Sequence, residues 1–289
     1  MIKIEVPCSV PAKSRKEYEK NYRLLTNNSG NMLLIAGDQK VEHLNDDFFG
    51  AGISKDDASP KHLFDITKNS QGGVLATHLG LVARYGKEYK EIPYIIKMNG
   101  RTNLWPNDEK DSSKLWWSVE DIVKFKKESG LKVGGLGYTV YLGGKYESKM
   151  LQEAAQMTHL AHQAGLLSII WMYPRGKKVK EEDIHTIAGG AGVAAALNAD
   201  FVKVKYPFDL INQKKAASDY KEVILAAGKT KIICVGGSKR PSKEMQKFLK
   251  LQLETGSAGL AIGRNLHQRS LKDASKMAIE LGDLIFKRK

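Results

Sequence analysis

Cysteine is nearly absent from this chain: Cys8 and Cys234 are the only two in 289 residues, far apart and at no metal-ligand spacing. That excludes a cysteine metal site and fits a reducing compartment, and neither residue stands where a nucleophile would be expected. Long apolar runs are missing as well. No stretch approaches the roughly 20 apolar residues of a membrane span, and the opening MIKIEVPCSVPAKSRKEYEK lacks the apolar core of a signal peptide. With a mean hydropathy of -0.37, the expectation is a soluble, cytoplasmic protein with no membrane partner. Acidic charge is short: 32 Asp and Glu stand against 46 Lys and Arg, a net charge of +14. Such a surface draws polyanions, either nucleic acid or small phosphorylated metabolites. No helix-turn-helix, zinc-finger or RNP-type pattern accompanies it, and the lysines are spread over many segments instead of forming a stripe. Solvated surface, with no nucleic-acid partner, is therefore the reading.

What the chain does have is alternation. After a polar start through Asn31, expected to be irregular, eight strand-like runs follow: MLLIAGD to Asp38, GGVLATH to His78, PYIIKMN to Asn99, VGGLGYTVYLG near Tyr141, LSIIWMYP to Tyr173, DFVKVKYP to Tyr206, KIICVGG to Gly237 and AGLAIGR to Arg264. Between them lie segments of helical periodicity, among them SPKHLFDITKNS, VEDIVKFKKESG, ESKMLQEAAQMTHLAHQAG, DLINQKKAASDYKEVILAAG, SKEMQKFLKLQLETG and LKDASKMAIELGDLIFKRK. Several end in a stop glycine: Gly130, Gly165, Gly228 and Gly256. This grammar predicts a single (β/α)8 TIM barrel over 1–289, with an N-terminal arm to about residue 31 and a long loop over about 100–118 after strand three; an open doubly wound sheet is the alternative. The loop carries Trp105, Trp116 and Trp117. It is placed to serve as a lid or substrate-facing wall, or else as an oligomer contact or plain packing.

The run ADFVKVKYP puts Lys203 and Lys205 inside a short, β-branched, otherwise apolar strand. Alternation sends Phe201, Lys203 and Lys205 to one face and Val202 and Val204 to the other; if the valines pack on helices, the lysines face inward. A desolvated lysine beside another cation has its pKa lowered, leaving the neutral amine that attacks a carbonyl to form a Schiff base. For a lone strand, lysines lying past its end and snorkelling to water would explain the pattern equally well. The barrel context decides, because chemistry sits at the C-terminal strand ends and the residues breaking the apolar pattern fall there. Asp38 closes strand one, Lys97 and Asn99 strand three, and Tyr173 strand five, with Trp171 below it on the same face as Ile169. One cavity could hold them all.

The last two strands end in glycine-rich turns. Gly236, Gly237 and Ser238 offer backbone donors ahead of a helix N-terminus, and Gly263 with Arg264 offers backbone plus a bidentate cation, at the two places where barrels bind phosphate. Three other patterns mislead. GAGVAA from Gly190 leads out of a helix-like segment where a dinucleotide fingerprint would follow a strand, so close helix packing explains it better. AGKT at Gly228 has Val223 in place of the first Walker A glycine and precedes a strand. His159 and His162 have no third ligand at metal-site spacing.

Together, these residues resemble the archaeal-type class I fructose-1,6-bisphosphate aldolases, (β/α)8 Schiff-base enzymes, from about Leu33 to Arg269. The resemblance places the Schiff-base lysine on Lys203 with Lys205 as its neighbour, and the proton donor and acceptor on Tyr173. It places Trp171 in the site wall and gives proton transfer around the carbinolamine to Asp38. Phosphate contacts fall on Gly236, Gly237, Ser238, Gly263 and Arg264. It implies reversible cleavage of fructose 1,6-bisphosphate with no metal and no cofactor, phosphorylated ketose and aldehyde substrates, a place in glycolysis and gluconeogenesis, and a homo-oligomer, often a ring-based decamer. Three alternatives stand beside it: a related Schiff-base aldolase or transaldolase-like enzyme acting on another ketose phosphate, such as an aromatic-precursor sugar synthase; a phosphate-binding flavin enzyme or isomerase barrel; and a nucleic-acid-binding protein.

Overall fold

The computed structural model describes residues 2–104, 112–176, 178–208 and 213–287. All eight apolar runs are strands: β1 (Met32–Ala36), β2 (Val74–His78), β3 (Tyr94–Lys97), β4 (Val133–Leu142), β5 (Leu167–Pro174), β6 (Phe201–Val204), β7 (Lys231–Val235) and β8 (Gly259–Ile262). They close into one parallel barrel in the order β1-β8-β7-β6-β5-β4-β3-β2. Because β1 pairs with both β2 and β8, no sheet edge is left and the open doubly wound alternative is excluded.

Helices fill the crossovers. In chain order they are α1 (Arg15–Leu25) before the barrel, α2 (Gln39–Glu42) and α3 (Lys61–Asn69) after β1, α4 (Leu79–Tyr85), α5 (Val119–Ser129), α6 (Glu147–Gln163), α7 (Ile184–Ala196), α8 (Gln213–Ala227), α9 (Ser242–Glu254), and α10 (Arg264–His267) with α11 (Leu271–Phe286) after β8. The stop glycines Gly130, Gly165, Gly228 and Gly256 all have left-handed backbones, with φ of 66°, 71°, 57° and 106°, which a side chain would resist. Gly190 lies inside α7, where a Cβ would come 2.9 Å from Met172 Cγ on β5. The GAGVAA stretch is close helix packing.

Strand alternation sorts two apolar layers. Met32, Leu34 and Ala36 fill the barrel with Ile95, Ile169, Trp171 and Phe201, whereas Leu33, Ile35, Val202 and Val204 pack outward on the helices. With Val202 and Val204 facing out, Lys203 must face in. Space for the Trp171 indole comes from β4: a Cβ on Gly137 would lie 2.2 Å from its Cζ3.

The arm before Asn31 departs from the irregular chain expected. Its helix α1 lies across the N-terminal mouth of the barrel, with Tyr18 and Leu25 joining the inner apolar layer. The Tyr18 hydroxyl donates to Asp200, and Asn21 Nδ2 donates to the Gly165 carbonyl at 2.8 Å. The residues to bury recur at Tyr18, Asn21, Tyr22 and Leu25, a helical spacing that the interleaved charges disguise. After β3, Asn99–Gly100 and Lys114–Leu115 form an antiparallel ribbon. Trp116 folds from it onto the His78 imidazole, 4.6 Å between ring centres, and both Trp116 and Trp117 remain exposed. Trp105 lies outside the described residues. Among the described residues no helix is long and apolar enough to cross a membrane.

Candidate active site

Trp171 and Lys203 are register partners on β5 and β6. That pairing sets the Lys203 amine over the indole at 5.3 Å and 5.9 Å from the Tyr173 ring centre. Lys203 is buried, and burial lowers its pKa below the ordinary lysine value, while Asp38 and Glu42 pull it part of the way back. Asp38 stands two residues beyond β1 and begins α2 without capping it through its side chain. Its carboxylate is buried with Oδ1 unpartnered among the described residues, so it is free to act on groups in the barrel mouth. The Tyr173 phenol is held well above its usual pKa, first by burial and then by Asp38 and Glu42, with Arg175 opposing. It stays a proton donor at neutral pH. These three residues line one cavity of about 470 Å³ together with the turns after β7 and β8.

Lys205 is not the neighbouring cation that the alternation pattern predicts. The Lys205 ammonium lines the cavity wall but pairs with Glu181 at 2.7 Å. The second buried lysine is Lys97 on β3, fully buried and 5.7 Å from the Trp171 ring centre. Its donors are committed to the Asn99 carbonyl (2.7 Å), Asn99 Oδ1 (3.1 Å) and Glu42 (3.5 Å). Burial lowers the Lys97 pKa too, with Glu42 and Asp38 opposing and Lys203 adding to the effect. The Lys203 amine, by contrast, has only ring faces as contacts among the described residues. Glu42 was not singled out from the sequence; its one signal is its place four residues after Asp38, one turn along α2.

The glycine turns are arranged differently from the expectation at two points. The Gly236 N–H donates to the Ala261 carbonyl at 2.8 Å, because the β7 ladder runs one residue past the assigned strand, so it is not a free anion donor. The helix after Ser238 starts only at Ser242, which leaves no helix N-terminus at that turn. Gly237 makes the turn itself, in left-handed conformation at φ 69°. Asn265 Nδ2 braces it by donating to the Ser238 carbonyl at 2.9 Å. Gly263 directly precedes α10, and Arg264 lies at the rim with its Nε 3.8 Å from Asp47.

At the opposite side of the mouth, the Arg101 and Arg175 guanidinium groups sit 5.0 and 4.9 Å from the Tyr141 ring centre, and Tyr141 stacks on Tyr173. The cavity is therefore cationic at both ends, with the buried lysine between them. His78, next to Lys97, is pushed down to about 4 by burial first and then by the Lys97 charge. Among the described residues no group of three or more His, Cys, Asp or Glu could hold a metal ion. His162 is buried between Asp200 (3.0 Å) and Ser9 (2.7 Å), and His159 is exposed. Burial pushes the Cys234 thiol up to about 11.

A buried amine with a lowered pKa, a carboxylate and a phenol lining one cavity are suited to carbonyl addition and proton transfer. Residues 32–269 match the model of a family described as DeoC/LacD family aldolase. A Methanocaldococcus jannaschii protein named fructose-bisphosphate aldolase/6-deoxy-5-ketofructose 1-phosphate synthase is 51% identical over 279 residues, 95% of this chain and 87% of that protein. The solved fructose-bisphosphate aldolase from Slackia heliotrinireducens superposes with a TM-score of 0.94 at 41% identity, covering 99% of this chain and 90% of that one. An archaeal fructose-1,6-bisphosphate aldolase, solved with its catalytic lysine covalently bound to the carbinolamine intermediate of the substrate, superposes with a TM-score of 0.79 at 28% identity, covering 93% of this chain and 99% of that one.

Proposed function

The chain belongs to the DeoC/LacD aldolase family, and on that premise we propose that it is a class I, metal-independent aldolase cleaving fructose 1,6-bisphosphate through an imine on Lys203. The observation that carries the reading is the Trp171–Lys203 pairing, which supports a desolvated amine within reach of Asp38 and Tyr173. The neutral amine adds to the C2 ketone, a proton passing from nitrogen to oxygen to give the carbinolamine. Asp38 relays the Tyr173 phenol proton to the hydroxyl, which leaves as water, and the protonated imine that results draws the electrons of the C3–C4 bond. As that bond breaks, the C4 hydroxyl proton passes to the Tyr173 phenolate so formed, glyceraldehyde 3-phosphate departs and an enamine remains. In the condensation direction Tyr173 returns that proton to the aldehyde oxygen, the role that its raised pKa favours. The turns at Gly237 and Gly263 take the phosphate of the ketone half, and Arg101 and Arg175 that of the aldehyde half.

The Methanocaldococcus relative's double name favours a second acceptor for the same site. Cutting 6-deoxy-5-ketofructose 1-phosphate at C3–C4 gives dihydroxyacetone phosphate and 2-oxopropanal, so both activities share the enamine and differ only in the aldehyde. Product analysis with each aldehyde separates them. The imine itself is tested by borohydride trapping with dihydroxyacetone phosphate and peptide mapping, with and without chelator. A chelator-insensitive adduct on Lys203 is expected. An adduct on Lys97 or Lys205 would reassign the nucleophile, and none on an active enzyme would sink the Schiff-base reading.

A further inference from the structure

Gln39 stands between Asp38 and the phosphate turn, and the chemistry above does not use it. Its carboxamide lies against Gly263, where a Cβ would come within 1.9 Å of Gln39 Oε1, and it lines the cavity beside Gly237 and Arg264. Behind it is a fully buried pair: His267 Nδ1 is 2.7 Å from Asp57 Oδ2, and His267 Nε2 is 3.2 Å from Gln39 Oε1. Phe48 stacks flat on the imidazole at 4.5 Å and 7°. His62 Nε2 donates to the His267 carbonyl at 2.9 Å, so both ring and backbone are held.

The amide stands with Oε1 toward His267 Nε2, which turns its –NH2 away from the histidine. No hydrogen bond engages that –NH2 among the described residues, and Gln39 lines the cavity. An amide turned over would present its oxygen, which only accepts, to an incoming anion. The Gly236 N–H is committed and Arg264 is shared with Asp47, so the Gln39 –NH2 adds a donor to those that the Gly237 and Gly263 turns supply.

We propose that Gln39 is a phosphate-binding residue at the ketone end of the substrate, and that His267 and Asp57 are positioning residues that turn its –NH2 to the phosphate. The proposal rests on the sugar-phosphate reading of the cavity.

Inorganic phosphate is titrated calorimetrically into the wild-type chain and into Gln39→Glu, Gln39→Met and Asp57→Asn. In parallel, Lys203 is trapped by borohydride with saturating unphosphorylated dihydroxyacetone. The expected result is a phosphate Kd raised about tenfold or more in both Gln39 variants and by a smaller factor in Asp57→Asn, with the dihydroxyacetone adduct at wild-type yield. Phosphate binding within twofold of wild type in Gln39→Glu and Gln39→Met, or no phosphate binding by the wild type, overturns the assignment. So does an adduct yield that falls in step with phosphate affinity, since that would be general damage to the site. An unchanged Kd in a folded Asp57→Asn removes the positioning role alone, and if that variant does not fold, the two Gln39 variants on the cavity wall decide. If the wild type forms no adduct yet the phosphate shifts appear, the imine reading falls and Gln39 keeps its role.

Discussion

Lys97 and Lys203 present their amines to the same indole, 5.7 and 5.3 Å from the centre of the Trp171 ring. Both are inward residues of barrel strands and burial lowers both pKa values, so position alone does not tell them apart. Their partners do: Asn99 and Glu42 engage every donor of Lys97, which holds it as a fixed charge. Lys203 is left with an uncommitted amine.

Lys203 should therefore lower the stability of the fold. Its folded-state pKa lies below the ordinary 10.5, so the unfolded chain binds the proton more readily and stability rises with pH through the window between the two values. Lys203→Met is expected to unfold at higher denaturant than wild type at pH 7, with the gap narrowing as pH approaches 10. A variant less stable than wild type at pH 7 would show that the amine is held by attractive contacts.

Tyr173→Phe removes the hydroxyl to which the proposed mechanism gives proton transfer and keeps the aromatic wall. Trapping on Lys203 should persist while turnover falls by about a hundredfold to ten-thousandfold, the usual worth of a positioned acid or base. Undiminished turnover would take Tyr173 out of the mechanism.

His78 is buried neutral against Trp116, its pKa pushed from 6.5 down to about 4. Below about pH 6.5 the unfolded chain takes the proton first, costing the fold up to about 3 kcal/mol by pH 4. His78→Phe keeps a ring for Trp116 and lacks the titration. Urea unfolding at pH 7 and pH 4.5 should give the variant a stability advantage that grows on acidification; equal pH dependence would count against it.

Leu25 on α1 is fully buried against the β4 backbone at Gly134 and Gly135. Leu25→Ala should cost about 2–5 kcal/mol in denaturant unfolding. Lys203 trapping at 25 °C should be unchanged, because the plug and the candidate active site lie at opposite ends of the barrel. A loss under about 0.5 kcal/mol would mean that α1 is not part of the core.

The strands and their order were legible because each is a short apolar run ending in a polar residue, a local pattern that neither packing nor partners need to supply. The inward turn of Lys203 was legible for the same reason, since Val202 and Val204 fix the opposite face by alternation. Lys205 reaches the same cavity, as alternation expects, but its pairing with Glu181 was not legible, because that carboxylate comes from another stretch of chain that the strand's own pattern does not announce. The α1 plug was hidden because its buried stripe is narrow and surrounded by charge, and its worth depends on a barrel mouth formed far along the chain.

What the sequence by itself determined is therefore everything carried by local periodicity: eight strands, the helices between them, the faces of their side chains and the polar residues at their ends. What only the tertiary structure decided is which of those polar groups are free. Among the described residues Lys97 is engaged and Lys203 is not, the Gly236 N–H is taken, and Glu42 joins the cavity from a single turn of helix. Hydrogen-bond partners come from strands and loops distant in sequence, so the availability of a donor or an amine exists only once the barrel has closed.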